Sequence, residues 1–494
     1  MNVLLLSMPD SFEHMPSIVI RMPNGALSSL AGNIDPHHRT AVADLILVQS
    51  RVRETVTRLV RELEPDIVAL SVMTFQRETA KKIMALVRSL RPAAQIVVGG
   101  YDPSLVPDVY ASTPADFIVR GEGEITFREL LRAVENAAPY DTIPGLSYRV
   151  GDSFHHNRDR PISTLEGGDI HRPNRKTRVL KGYTMLGRQV DIVETSRGCT
   201  FDCSFCSIIE MRGRNFHMYS FDRVIADIRD AYDQGARTVF IVDDNITLNV
   251  PRFEGLCKAI IDAGLNSIDY IVQAMTSSIA QHGERLAPLM RKAGFRYVFL
   301  GIENILEKDL EFLRATSKNT KRENGRKDNA AIKAIDYIHR NSMYVVGGLI
   351  VGNPDDTSDS IEANLEFARR YVDWPYIQHP TPYPRTPMTV DFQKQNLILT
   401  NDSEKYDGTT AVVRTEHMTG DEVEFMRWKA ERWMKVRHFP RVLWHDPLYI
   451  LANGHRMMAH TFRGTSLKSI LGLEDEHRSF ERYRKIREAE RVYM

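Results

Sequence analysis

Short apolar runs alternate with amphipathic stretches along the first part of the chain. Asn2 to Ser7 (NVLLLS) is the first run. Asp66 to Val72 (DIVALSV) follows a Leu-rich amphipathic segment around Val52 to Leu63, and Gln95 to Gly100 (QIVVGG) follows another around Ala80 to Leu90. A further strand, Asp116 to Arg120, precedes a helical pattern at Ile125 to Val134. Strands separated by helices at this spacing need right-handed crossovers, which predicts an α/β fold with a doubly wound parallel sheet over residues 1–140. Such sheets bind ligands beyond the carboxyl ends of their strands, which here lead into Met8 to Glu13, Met73 to Gln76, Gly99 to Pro103 and Gly121 to Glu124.

Residues 141–187 are rich in Pro, Gly, His and Arg without sustained periodicity and read as a hairpin and linker. A second alternation follows, with strands at Gln189 to Glu194, Thr238 to Val242, Asp269 to Gln273, Tyr297 to Gly301, Tyr344 to Val351 and Tyr376 to Thr381. The clearest helix between them is Ser220 to Tyr232, where Ser220 is the cap and Val224, Ile225, Ile228 and Tyr232 form one apolar face. Six strands predict a partial (β/α)6 barrel of TIM type over residues 188–395 rather than a closed barrel of eight. Residues 396–494 change character, with charged helical runs at Asp421 to Val436 and Glu474 to Arg491, and predict a mainly helical C-terminal region.

The chain has 494 residues, 43% hydrophobic and 26% charged, which excludes a disordered or fibrous protein and allows about three domains. A net charge of +1 provides no overall field for nucleic acid. The longest apolar stretches, such as Tyr344 to Val351, fall short of the ~20 residues that span a bilayer, and no basic segment precedes the first apolar run. The expectation is a cytoplasmic protein without a membrane span.

Three of the four cysteines crowd into the run CTFDCSFC: Cys199, Cys203 and Cys206, directly after the first strand of the barrel-like region. Three thiolates on one loop suit three irons of a four-iron, four-sulfur cluster, leaving the fourth iron open to a ligand. A zinc site or unconnected core cysteines are the alternatives, although structural zinc normally closes four ligands. Cys257 lies in an amphipathic pattern beside Ile260 and Ile261 and is expected to be a buried thiol.

The spacing C-x-x-x-C-x-aromatic-C, with Phe205 as the aromatic, resembles the hallmark of the radical S-adenosylmethionine superfamily. The resemblance implies that the open iron is chelated by the amino and carboxylate groups of S-adenosylmethionine, whose reductive cleavage yields a 5'-deoxyadenosyl radical. It also implies cofactor contacts at Asp243, Asp244 and Asn245 after the second strand, where the usual G-G-E-like turn is replaced by V-D-D-N. Further contacts are implied at Gln273 on the third strand, at Glu303 in G-I-E-N, and at Gly348, Ile350 and Gly352 in a G-x-I-x-G element on the fifth.

The N-terminal sheet, with GGYDPS and DFIVRGEGEITFRELL, resembles the Rossmann-like cobalamin-binding domain that precedes the radical module in one large branch; with TPYPRTP at Thr381 to Pro387 the resemblance spans about residues 1–400. It implies corrinoid contacts at Met8, Ser71, Thr74, Gly99, Gly100, Gly121 and Glu122. The alternative is a domain that keeps the shape and has lost the ligand. A histidine ligand to cobalt is not expected, because PDSFEHM places His14 at the wrong offset for D-x-H-x-x-G.

The resulting functional expectation is a cobalamin-dependent radical enzyme that methylates an unactivated carbon of a small-molecule intermediate. Its cofactors are a 4Fe-4S cluster, S-adenosylmethionine and cobalamin, and its electrons come from flavodoxin or ferredoxin. The same arrangement resembles the anaerobic porphyrin ring cyclase, which needs no methyl transfer. A methylthiotransferase is disfavoured because the N-terminal part has no cysteines. A non-catalytic iron-sulfur sensor is the alternative of another class. No catalytic side chain beyond the cofactor ligands is assigned. Arg385 is a candidate for the substrate cavity, and Trp428, Trp433 and Trp444 among basic residues read first as a packed helix face.

Overall fold

The computed structural model describes residues 1–11, 20–165, 167–323, 326–445, 447–470, 472–491 and 494. The first apolar run forms β1 (Asn2–Ser7), in which Leu4, Leu5 and Leu6 are fully buried. A strand without a polar face needs cover on both sides. Leu4, Leu6, Val68, Leu70, Ile96 and Val98 form one core with the helices Val52–Leu63 and Arg77–Leu90. Val3, Leu5, Ile67, Ala69 and Val97 form another with the helices Gly25–Gly32 and Gly123–Glu135.

The chain continues through β2 (Ile20–Arg21), β3 (Arg39–Asp44), β4 (Ile67–Ser71), β5 (Gln95–Gly99), β6 (Phe117–Val119), β7 (Leu146–Val150) and β8 (Ser153–His156). The first sheet has the order β3-β1-β4-β5-β6-β7-β8; five strands are parallel, and the β7–β8 hairpin is added antiparallel to β6. The strand order reverses at β1, so the crevice lies at the carboxyl ends of β1 and β4. Two features differ from expectation. β3 was not anticipated, and the hairpin carries the sheet past residue 140 to His156, because its pairing with β6 is a long-range backbone choice.

The second region runs through β9 (Thr184–Met185), β10 (Arg188–Val193), β11 (Ser196–Arg197), β12 (His217–Met218), β13 (Thr238–Ile241), β14 (Asp269–Met275), β15 (Phe295–Glu303), β16 (Thr320–Glu323), β17 (Arg326–Asn329), β18 (Tyr344–Ile350) and β19 (Trp374–Gln378). Its sheet has the order β19-β18-β15-β14-β13-β10-β9-β2. The six strands from β10 to β19 in that sheet are parallel and make an open half-barrel, with β9 and β2 antiparallel at one edge. Alternate side chains divide the faces. Val239, Val272, Val298, Leu300 and Val345 pack outward against helices. Phe240, Ile271, Tyr297 and Trp374 point inward and close the lower end with Val190, Met185 and Tyr449. Higher on the inner face, Phe299 and Tyr376 meet edge to face with ring centroids 5.9 Å apart.

Local signals hold where packing agrees with them. Ser220 caps the helix Phe221–Asp233 by accepting from the N–H of Arg223 at 3.4 Å, and Val224 and Ile228 enter the core. Cys257 is fully buried in the same core. The C-terminal region contains the long helices Gly420–His445, Pro447–Thr461 and Glu476–Glu490. Trp428 is buried against Phe480 and Tyr483, with the Arg432 guanidinium 3.8 Å above its ring and paired with Glu476, whereas Trp433 and Trp444 are exposed, so only the first of the three tryptophans packs as expected. Arg427 donates to the Ile377 carbonyl at 2.6 Å and ties the helix to β19. Arg385 is exposed, with left-handed backbone at φ 69°. Among the described residues no helix is long and apolar enough to cross a membrane.

Candidate functional site

The cysteine loop follows β10 at the carboxyl end of the half-barrel. Asp243, just beyond β13, holds its entry by accepting from the Thr195 N–H at 2.6 Å and from the hydroxyls of Thr195 and Ser196. Burial pushes the Asp243 carboxyl up to about 6, against the pull of these bonds. Asp244 accepts from the Gly198 N–H at 2.8 Å. Gly198 sits at φ +90°, and a Cβ there would stand 2.5 Å from the Asn215 carbonyl oxygen, so this corner requires glycine. Ser204 fixes the other side: its N–H donates to the Leu313 carbonyl at 2.9 Å, its hydroxyl to the Phe312 carbonyl at 3.0 Å, and its own carbonyl accepts from the Met388 N–H at 2.9 Å.

Cys199, Cys203 and Cys206 are all free thiols. Three thiols on one loop suit a cluster with an open iron, whereas structural zinc normally closes four ligands. Burial pushes the Cys203 and Cys206 thiols up to about 11 and about 12, so a bound metal has to displace their protons. Lys318, in the turn Thr316–Asn319, places its Nζ 3.1 Å from Glu303 Oε1. Burial opposes the lysine's charge, but Glu303 and the two thiols outweigh it and raise its pKa. The loop therefore has a buried cation beside it, which favours thiolates.

A cavity of about 530 Å³ opens between the carboxyl ends of the first sheet and the rim of the half-barrel. Ser71, Gly99, Gly100, Gly121 and Glu122 line it, as expected from their positions after the strands; Met8 is buried in the apolar core and Thr74 in the turn before helix Arg77–Leu90, and neither lines the cavity. Gly100 takes φ +105°, where a Cβ would meet the Val72 carbonyl at 2.8 Å; Gly121 takes φ +72° with open space in front of it. A wall of bare backbone suits the close approach of a flat macrocycle. No histidine lines the cavity among the described residues. His14 lies outside the described residues, and His37 and His38 lie before β3, at the opposite end of the sheet.

The two halves of the cavity are joined by groups that sequence reasoning missed. Arg197, two residues before Cys199, donates to Glu124 at 2.6 Å and to Glu194 at 2.7 Å, and stands 3.5 Å from Glu122. Burial alone would raise the Glu124 pKa, but Arg197 holds it down at about 2. Glu122 Oε2 also accepts from the Ser163 N–H at 3.1 Å. Tyr101, after Gly100, lines the cavity; burial raises its pKa, and Asp244, Arg212 and Cys206 are close enough to act on it electrostatically. The signal for Arg197 was available, since a lone arginine beside a metal loop and the acidic pair of G-E-G-E are both unusual in buried segments. Lys318 carried no such signal.

The remaining candidates lie at or beyond the carboxyl ends of the half-barrel strands. Glu303 is buried at φ 58°, beyond a register shift between β15 and β18, and its carboxylate folds over Gly301, where a Cβ would be 2.6 Å away. A bulge that re-aims a strained acidic residue is typical of functional strand ends. Gln273 is half-buried and shares the inner face with Ile271. Gly348 leaves room for the Phe299 ring, which a Cβ would meet at 2.8 Å. Phe205 packs on the apolar group containing Ile350, Leu313 and Met388. Asn245 is buried, with its Oδ1 accepting from the Thr247 hydroxyl at 3.0 Å. Gly352, at φ +100°, directs its missing side chain toward Val423 of the C-terminal region, not into the barrel.

A doubly wound sheet facing a half-barrel across one cavity, with a three-cysteine loop at its rim, defines a two-module radical enzyme architecture. Residues 193–368 match the radical SAM superfamily and residues 26–131 match the B12 binding domain, so both modules are recognised in one chain. It is 27% identical to an uncharacterized methyltransferase of Pyrococcus horikoshii, the match covering 90% of this chain and 94% of the other. It is also 27% identical to the anaerobic magnesium-protoporphyrin IX monomethyl ester cyclase of Cereibacter sphaeroides, covering 81% of this chain and 63% of that enzyme. The solved structure of TsrM, a radical S-adenosylmethionine methyltransferase from Kitasatospora setae with cobalamin and a 4Fe-4S cluster bound, shares the fold. Its TM-score is 0.64 at 18% identity, over 80% of this chain and 78% of the other.

Proposed function

We propose that this chain is a cobalamin-dependent radical S-adenosylmethionine methyltransferase acting on an unactivated carbon of a small molecule. The observation that carries the reading is the shared cavity: backbone from the corrinoid side and Arg197, Arg212 and Glu194 from the cluster side line one space. A carrier held on one wall can therefore face chemistry started on the other without either module moving.

Cys199, Cys203 and Cys206 would hold the cluster, with Lys318 offsetting thiolate charge. Ser71, Gly99, Gly100, Gly121 and Glu122 would hold the corrinoid. Asp244, Asn245, Gln273, Glu303, Gly348, Ile350 and Phe205 are the residues that would contact S-adenosylmethionine, where Glu303 would offer an acceptor for an ammonium or ribose hydroxyl. Asp243 acts differently: both its oxygens are occupied in fixing the entry of the cysteine loop. When bound, the three groups together supply reductive sulfonium cleavage, a carbon radical and a cobalt-borne methyl group. The protein's own task is orientation and exclusion of water, which the plugged lower end of the half-barrel serves. Electrons would come from an external one-electron donor such as flavodoxin or ferredoxin.

The test needs no substrate. Anaerobically reconstituted protein with cobalamin, a reductant and methyl-labelled S-adenosylmethionine should pass label to the corrinoid and release 5'-deoxyadenosine. Cleavage without label transfer would favour oxidative cyclisation, the reading supported by the similarity to the porphyrin ester cyclase. Product mass then separates the two, since methylation adds a methylene.

A further inference from the structure

A second cluster of ligating side chains lies at the far end of the first sheet. His37 and His38 belong to the loop between helix Gly25–Gly32 and β3, and Glu135 ends helix Gly123–Glu135. One ligand atom from each of the three lies within 4.8 Å of the others. His37 Nε2 stands 2.9 and 3.1 Å from the two Glu135 oxygens, and His38 Nε2 stands 3.9 Å from Oε2. Donors ~2.0–2.1 Å from one tetrahedral ion are ~3.3 Å apart, so these two pairs bracket what a single ion requires.

The second observation is His38 itself. Its side chain is 0% exposed, and Nε2 has no hydrogen-bond partner although it faces Glu135. A buried polar atom left in this state carries a desolvation cost that a ligand would relieve. Nδ1 lies 3.2 Å from the Met1 nitrogen, so Nε2 is the ring nitrogen left to face a ligand. Asp35, paired with Arg132 at 2.7 and 2.8 Å, adds negative potential near the two rings. His37 and Glu135 are partly exposed, with side-chain exposures of 56% and 36%, which leaves access for a water as fourth ligand.

We propose that His37, His38 and Glu135 bind one divalent transition-metal ion, and that zinc suits this two-nitrogen, one-oxygen set. The ion joins the loop before β3 to the last turn of a helix whose first turn carries Glu124 of the Arg197 bridge. It is a structural clamp on that helix, far from the radical chemistry.

The test uses the holoenzyme, with its cluster reconstituted so that the cysteines are occupied. Protein is dialysed anaerobically against zinc sulfate, and metals are counted by mass spectrometry. A single zinc per chain in addition to the cluster iron is expected. H38Q, H37Q and E135Q should each weaken zinc binding about tenfold or more without changing iron content. H37Q and E135Q alter surface groups and keep the test valid if H38Q fails to fold. No zinc on the parent protein, or equal zinc on H37Q and E135Q, overturns the proposal.

Discussion

Arg197 and Glu124, 73 residues apart in the chain, are joined by a buried hydrogen bond of 2.6 Å across the two modules. Glu194 and Glu122 complete the surroundings of the guanidinium, so one cation serves three carboxylates. The arginine stands two residues before the first cluster cysteine, and the glutamates stand beside the Gly121 turn. The bridge therefore sets the distance between the cysteine loop and the glycine-lined wall of the cavity.

Replacing Arg197 by Met should destabilise the protein by about 3–5 kcal/mol in denaturant unfolding, because it leaves two buried carboxylates, Glu122 and Glu124, and the partly exposed Glu194 without their cation. The pH dependence follows from Glu124, whose pKa in the folded state, about 2, lies below the unfolded value. Its contribution is complete above the unfolded value of ~4.3 and is lost as the pH falls from there toward about 2. Glu124→Gln should remove that acid-sensitive portion of the stability curve. An unchanged curve would show that Arg197 does not depend on Glu124.

Cys203→Ala should abolish cluster binding and reductive cleavage in anaerobically reconstituted protein, which otherwise carries about four iron and four sulfide per chain. Cys257→Ala should leave both intact and cost ~1 kcal/mol of packing. Iron analysis of the two variants decides: loss of iron in the second, or its retention with activity in the first, contradicts the assignment.

Gly121→Leu places a side chain in the open space that Gly121 leaves at the cavity. The left-handed backbone at φ +72° adds a cost of ~1 kcal/mol, small enough for the fold to persist. Corrinoid content should fall sharply while iron content and S-adenosylmethionine cleavage remain. Parallel loss of all three would indicate general unfolding instead.

Cobalt(II) in the bound corrinoid should lack an axial nitrogen from histidine, since none lines the cavity among the described residues. Electron paramagnetic resonance should show cobalt lines without a nitrogen triplet. A weak lower ligand eases passage between cobalt oxidation states, because axial ligation tunes a metal's redox behaviour. A triplet that disappears on replacing His14 would identify a histidine ligand after all.

What the sequence determined by itself is what short range controls. The NVLLLS, DIVALSV and QIVVGG runs are buried strands, Ser220 is a helix cap, and Cys257 is a core thiol, because periodicity and capping act within a few residues. The cysteine spacing could be read as a candidate cluster loop for the same reason: three thiols on one loop need no distant partner. Tertiary structure alone decided the rest. β3 becomes a strand through its pairing with β1, and the β7–β8 hairpin joins the sheet through β6. Asp243 turns toward the loop backbone, Gly352 toward Val423, and Lys318 toward Glu303 and the thiols. Arg197 finds Glu124 only when the two modules meet. These choices rest on burial of charge and on long-range contacts, whose energies depend on which surfaces are brought together and leave no periodic trace in the chain.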